Sequence, residues 1–204
     1  MINSKAAFQN VTANSKLAMV NNRLGNPGLK RNQGSTVEVY DYVKVTTPGA
    51  GGVIRFFEGV NAKQFPLTNI QQNQLQVGEA LAIEYIAITR VKAKTGTKTI
   101  VDQTSLVATV SGTALSQLSV LLDNSRILKN NSLTRTNSAF NVKGQTATNN
   151  LFFPDTDLTL PPQISFTVEL NLPDNSDASE DGFDIYYGVH LFGTGAILNL
   201  KTNV

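Results

Sequence analysis

Chemistry needs reactive side chains in company, and His190 is the one histidine of this 204-residue chain, which contains no cysteine. A triad or a metal site would need partners, and the chain has neither a cysteine nor a second histidine. His190 also lies within an apolar run, where a hydrogen-bonded structural imidazole is expected. The carboxylates Asp174, Asp177, Glu180 and Asp181, followed by Asp184, are the second group that could do chemistry. Their oxygens suit a hard cation such as calcium. They depart from the twelve-residue calcium-loop pattern, and clustered carboxylates at a hairpin tip are usually solvated. Asp174, Asp177, Glu180 and Asp181 are thus the calcium candidates, and no cofactor is expected.

Glycoside hydrolysis would need two carboxylates at a set separation in a cleft. Glu58, Glu79, Glu84 and Glu169 lie in or beside strand-like runs, but their spacing pairs none of them. Tryptophan is absent and aromatic residues make up 7% of the chain, which disfavours a sugar cleft built on stacking. The glycine-rich loop Thr47 to Gly52 lacks a GK[ST] ending and precedes a strand-like run, VIRFFE, so it is read as a turn and not a phosphate cradle. No enzymatic activity is expected.

The elements that would position such groups are strands. Side chains alternate between the faces of a strand, so period-two patterning marks one wet and one buried face. Ile164, Phe166, Val168 and Leu170 alternate with Gln163, Ser165, Thr167 and Glu169. Val37, Val39, Asp41, Val43 and Val45 alternate with Glu38, Tyr40, Tyr42 and Lys44, with Asp41 the odd member of the apolar side. Ala80 to Ala93 and Phe183 to Leu200 are apolar on both sides and are expected in the interior of a sheet, with Gly193 and Gly195 as bends or bulges. Ala114 to Leu122 fits either a strand or a helix. Val60 to Val77 is a polar connection with Phe65, Leu67, Ile70 and Leu75 as hydrophobic pins. Another long connection, Asn130 to Asn150, is rich in Asn, Ser and Thr. Proline, glycine and Asn-rich turns separate the runs. About eight strands with unequal connections predict an all-β fold, a single eight-stranded jelly roll (a Greek-key β-sandwich), over residues 36–204.

Residues 1–35 form an extended arm in this reading, polar and broken by glycine and proline. Lys5, Lys16, Arg23, Lys30 and Arg31 give it positive charge, with no acid before Glu38. These five are the candidates for contact with nucleic acid or with a neighbouring subunit, although their spacing is thin for a dedicated polyanion arm. Charged residues make up 16% of the chain, a low share that suits a surface hidden against copies of itself. MINSKAAFQNVTANSK lacks a long apolar run, so no signal peptide is expected.

A basic arm, a β-rich body and a final strand pair with a glycine-broken apolar last member resemble viral jelly-roll capsid proteins. FFEGVNAKQFPLTNIQQNQLQVGEALAIEYI and LFFPDTDLTLPPQISFTVELNLP resemble segments of structural proteins from tailless icosahedral bacteriophages of Bacteroidetes-type hosts. The resemblance covers residues 37–200. It implies a virion capsid subunit, assembled in the host cytoplasm into rings of five or six and then a shell around the genome. Its partners would be copies of itself, other virion proteins and, non-specifically, the genome. The alternative is a phage spike or a carbohydrate-binding β-sandwich module.

Overall fold

The period-two runs become strands, and those strands pair into two sheets. In the computed structural model, residues 34–46, 52–63, 65–97, 100–105, 117–132, 151–152, 154, 158–172 and 181–197 are described. Lys5, Lys16, Arg23, Lys30, Arg31, Asp174, Asp177 and Glu180 lie outside the described residues, as does most of the Asn130 to Asn150 connection. The strands are β1 (Gly34–Lys44), β2 (Gly52–Phe56), β3 (Glu79–Lys94), β4 (Ile100–Ser105), β5 (Gln117–Leu122), β6 (Ser125–Ser132), β7 (Leu151–Phe152), β8 (Leu158–Leu160), β9 (Phe166–Leu172) and β10 (Phe183–Ile197). A short 3-10 turn at Val60–Ala62 is the sole helical element among the described residues.

One sheet runs β1-β10-β3-β4, with β7 and β8 also paired to β3; the other runs β2-β9-β5-β6. Every strand pairing in both is antiparallel. Along β3, β8 faces Leu81–Ile83, β7 faces Ile86–Ala87 and β4 faces Thr89–Ala93. The chain is therefore all-β with two antiparallel sheets, an arrangement consistent with a β-sandwich. Ten strands stand among the described residues where about eight were expected. The first begins at Gly34, so the expected arm boundary at residue 35 falls inside β1.

Both sheets contribute to one apolar core. The larger sheet supplies Val39, Leu81, Ile86, Val189 and Leu191, and the smaller supplies Phe56, Leu118, Val120, Val168 and Leu170. Of the ambiguous segment Ala114 to Leu122, the described part, Gln117–Leu122, is a strand because β9 pairs it residue for residue, from Gln117↔Asn171 to Leu122↔Phe166. Leu118 and Val120 then point inward. Tertiary pairing outweighs the weak local preference.

The large apolar residues of β3 break phase. Leu81 and Ile83 are two apart, but Ile86 comes three after Ile83. All three, with Ile88, are buried. A bulge opposite Phe192 and Gly193 absorbs the extra residue, so both halves of β3 face the core. A side chain at Gly193 would run into the backbone carbonyl of Ala82. Gly193 is therefore a close-approach glycine at the bulge.

Asp41 is fully buried on the inner side of β1. Its carboxylate accepts bonds from Lys63 Nζ at 2.7 and 2.9 Å and from the Phe57 N–H at 2.7 Å. Phe57 has φ 66°, so the turn after β2 is held in a left-handed conformation unusual for a bulky residue. Burial outweighs these contacts and holds the Asp41 carboxyl above its ordinary range. Its ionisation thus works against the fold as pH rises through that raised value, and Lys63 offsets part of the cost.

The connection after β2 carries Lys63 to this site and then lies along the free edge of β1. The Tyr42 N–H donates to the Leu67 carbonyl at 2.8 Å, and Asn69 bonds the backbone at Tyr40 and Glu38. Such cover blunts an otherwise open edge. Leu75 is a buried pin and Ile70 packs partly against the core. Phe65 corrects the expectation: it is 78% exposed. Its neighbours Lys63 and Leu67 are tied to Asp41 and Tyr42, so the turn between them projects its side chain outward. Ile164 also corrects it, at 39% exposed, because β9 starts only at Phe166.

Asp41→Ala should lower stability by about 2 kcal/mol, because it leaves the buried Phe57 N–H and the part-buried Lys63 ammonium without their acceptor. Denaturant unfolding checks this. Lys63→Met added to Asp41→Ala should cost less than the sum of the two single changes.

Candidate functional site

Two clusters bring polar groups together on outer sheet faces. The first lies across β1, β10 and β3. Tyr40 stands opposite His190 and Tyr42 opposite Gly188 on β1 and β10, and Phe192 pairs with Tyr85 on β3. His190 Nδ1 is 2.6 Å from Glu38 Oε1, and Nε2 is 2.8 Å from the Tyr42 hydroxyl. A carboxylate accepts, so Nδ1 carries a proton and donates to Glu38. In the neutral ring Nε2 then accepts from Tyr42.

The order Glu38, His190, Tyr42 is that of a nucleophile relay, but the phenol is not activated. Burial holds the Tyr42 hydroxyl above its ordinary range; Thr89 pulls it part of the way back, and Tyr40 and Glu38 push it up. A nucleophile gains from a lowered pKa or from a base poised to take its proton. The raised value disfavours the phenolate, while His190 Nε2, with Nδ1 held by Glu38, stands where it accepts from the hydroxyl.

Rings also stack along this face. Tyr40 lies over His190 with centroids 5.4 Å apart, His190 over Phe192 at 6.0 Å, and Phe192 over Tyr85 at 4.6 Å. His190 and Phe192, the two inner members of the row, thus each have a ring on both sides. A sugar platform needs a free aromatic face. Gly188 makes room for the array, since a side chain there would strike the Tyr42 ring.

The second cluster is on the smaller sheet. Phe166, Val168, Leu170 and Leu172 of β9 point inward, leaving Thr167 and Glu169 on the outer face. Arg55 of β2 stands directly opposite Glu169. Its Nε donates to Glu169 Oε1 at 3.2 Å. Arg126 of β6 reaches over β5, and its Nη2 donates to Glu169 Oε2 at 3.0 Å. The Glu169 side chain is 11% exposed, while Arg55 and Arg126 are about half exposed. These groups floor a cleft of about 460 Å³ whose walls include Glu58, Asn73, Asp123, Ser165 and Thr167.

Of the four carboxylates weighed for hydrolysis, Glu58 and Glu169 share this cleft. Glu79 instead accepts from the Gln76 N–H and Glu84 from Thr194. Both Glu169 oxygens accept from arginine. Among the candidates for calcium, Asp181 is exposed. Asp184 bonds Lys44 at 3.0 Å, and that contact holds its carboxyl below the ordinary range. Among the described residues no three metal-capable side chains gather. The described residues also contain no helix long and apolar enough to cross a membrane.

Sequence reading did not find the Arg55–Glu169–Arg126 cluster. The outward position of Glu169 was legible from the alternation of β9; its partners were not, because they come from strands 114 and 43 residues away. Comparison with protein-family models gives no match, and comparison with curated proteins gives none either.

Tyr42→Phe should cost about 1 kcal/mol, since it leaves His190 Nε2 without its half-buried donor. Thermal or denaturant unfolding measures it, and the Tyr42→Phe, His190→Ala pair should be non-additive.

Proposed function

We propose that this chain is a structural virion protein, a jelly-roll capsid subunit that associates with copies of itself to form a shell around a viral genome. The observation that carries the reading is the order of the strands. A jelly roll is a long antiparallel hairpin wound around a barrel, so that first pairs with last, second with next-to-last, and so on inward. β1 pairs with β10, β2 with β9, β3 with β7 and β8, and β5 with β6. The winding adds β10 beside β3 and β9 beside β5. Counting β7 and β8 as one interrupted strand and β4 as a hairpin extension of β3 leaves eight strands in that scheme.

Composition and electrostatics support the same reading. Charged residues make up 16% of the chain, and many Asn, Gln, Ser and Thr side chains take their place, which suits contact with like surfaces at low desolvation cost. In this reading Lys5, Lys16, Arg23, Lys30 and Arg31 tie neighbours together or meet the genome. The long connections at residues 60–77 and 130–150 make contacts between subunits. Catalysis has no part in it. The rival, a spike or sugar-binding module, loses support from the stacking of His190 and Phe192 between Tyr40 and Tyr85, which occupies both faces of the two inner rings.

Removing residues 1–33, which leaves β1 whole, tests the arm. Sedimentation should show rings or larger particles for the full chain and smaller species for the truncated one, with unchanged unfolding. Identical sedimentation of the two would contradict the tying role, and a full chain that stays monomeric would contradict the capsid reading.

A further inference from the structure

We propose that Lys63 and Asp41 condense within the folded chain to an amide between Nζ and Cγ, with loss of one water. The inference does not depend on self-assembly, because both reacting groups belong to one chain.

The reacting groups are already together. Lys63 Nζ lies 2.9 Å from Oδ1 and 2.7 Å from Oδ2 of Asp41. Both oxygens are bonded to Cγ, so the nitrogen stands at most about 3.1 Å from that carbon, within the roughly 3–3.5 Å reach of a near-attack arrangement. The last torsion of a carboxyl side chain is broad, and a rotation there turns the face of the carboxyl towards the amine. Groups held in this way react as though at very high concentration, which also favours the amide over its hydrolysis.

The surroundings favour the neutral forms that condensation needs. Asp41 is fully buried, and the Lys63 side chain is 20% exposed. Burial disfavours charge and holds the Asp41 carboxyl above its ordinary range. Moving a proton from the ammonium to Oδ1 is therefore easier here than in water. The amine lone pair then forms the Nζ–Cγ bond, and the π pair of Cγ–Oδ2 moves onto Oδ2. The Phe57 N–H, 2.7 Å from Oδ2, is placed to donate to that oxygen as it gains charge. A second proton passes from Nζ to Oδ1, the Cγ–Oδ1 bond breaks, and Oδ1 leaves as water. The pair on Oδ2 restores the carbonyl. The three ammonium hydrogens end as one amide N–H and two on the water, so no oxidant or other reagent is consumed. The partly exposed side of Lys63 gives the water a way out. Asp41 belongs to β1 in the larger sheet, and Lys63 follows β2 of the smaller. The bond closes residues 41–63 into a covalent loop that staples the two sheets.

Intact mass spectrometry of the full chain, kept folded at neutral pH and then denatured, tests the proposal. The mass should fall below that of the sequence by one water. Trypsin should release a branched peptide joining residues 32–44 to residues 56–90, because an acylated Lys63 resists cleavage. Lys63→Arg keeps the positive charge without an attacking amine, and it should show the full mass of its own sequence. Asp41→Ala should do the same. Thermal melts confirm folding, and Lys63→Arg decides the matter if Asp41→Ala does not fold. An unshifted mass for the full chain, a water lost at other residues, or equal loss in Lys63→Arg would overturn it.

Discussion

β10 lies between β1 and β3 and pairs with both along nearly its whole length. All eleven residues of β1 face it on one side, and β3 faces all fifteen of its residues on the other. Ile185, Tyr187, Val189 and Leu191 point into the core, and Tyr186, Gly188, His190 and Phe192 point outward. A slip of one residue would exchange the two sets. At about 1.5–3 kcal/mol for each large apolar side chain buried, that exchange would forfeit on the order of 8 kcal/mol, comparable to the whole stability of an ordinary domain. Register here is thus set by burial. The bulge at Gly193 and the close approach at Gly188 let one register serve both the core and the aromatic outer face.

The remaining architecture follows from that constraint. Once first and last strands are joined, β2 and β9 are brought together behind them, and β5 closes on β9. The outer face of the smaller sheet then collects Arg55, Arg126 and Glu169 from three separate strands. Asp41 and Lys63 fasten the connection after β2 to the inside of β1, and Leu67 to Asn69 cover that strand's edge. One sheet face is filled with stacked rings and the other carries a polar cleft, so the two outer surfaces offer different chemistry to whatever meets them.

Local pattern revealed much of this. The alternation in β1 and β9, the doubly apolar β3 and β10, and Asp41 as an inward-facing exception were all legible, because a period of two maps directly onto the faces of a strand. The choice of strand for β5 was not, since Leu118, Val120 and Leu122 suit either geometry until β9 supplies a partner. Phe65 and Ile164 misled for a related reason. Hydrophobicity suggests burial, but the backbone ties of neighbouring residues decide which way a turn projects. The Arg55–Glu169–Arg126 cluster has no sequence signature at all, because it is made by strand order and not by spacing. The phase break between Ile83 and Ile86 was a readable sign of the bulge.

Electron microscopy of the purified full chain at neutral pH and moderate salt addresses the central claim, that this wound β body is a unit of a larger closed assembly. The account predicts rings or closed shells of uniform size. A field of separate particles, each with the dimensions of one chain, would contradict it.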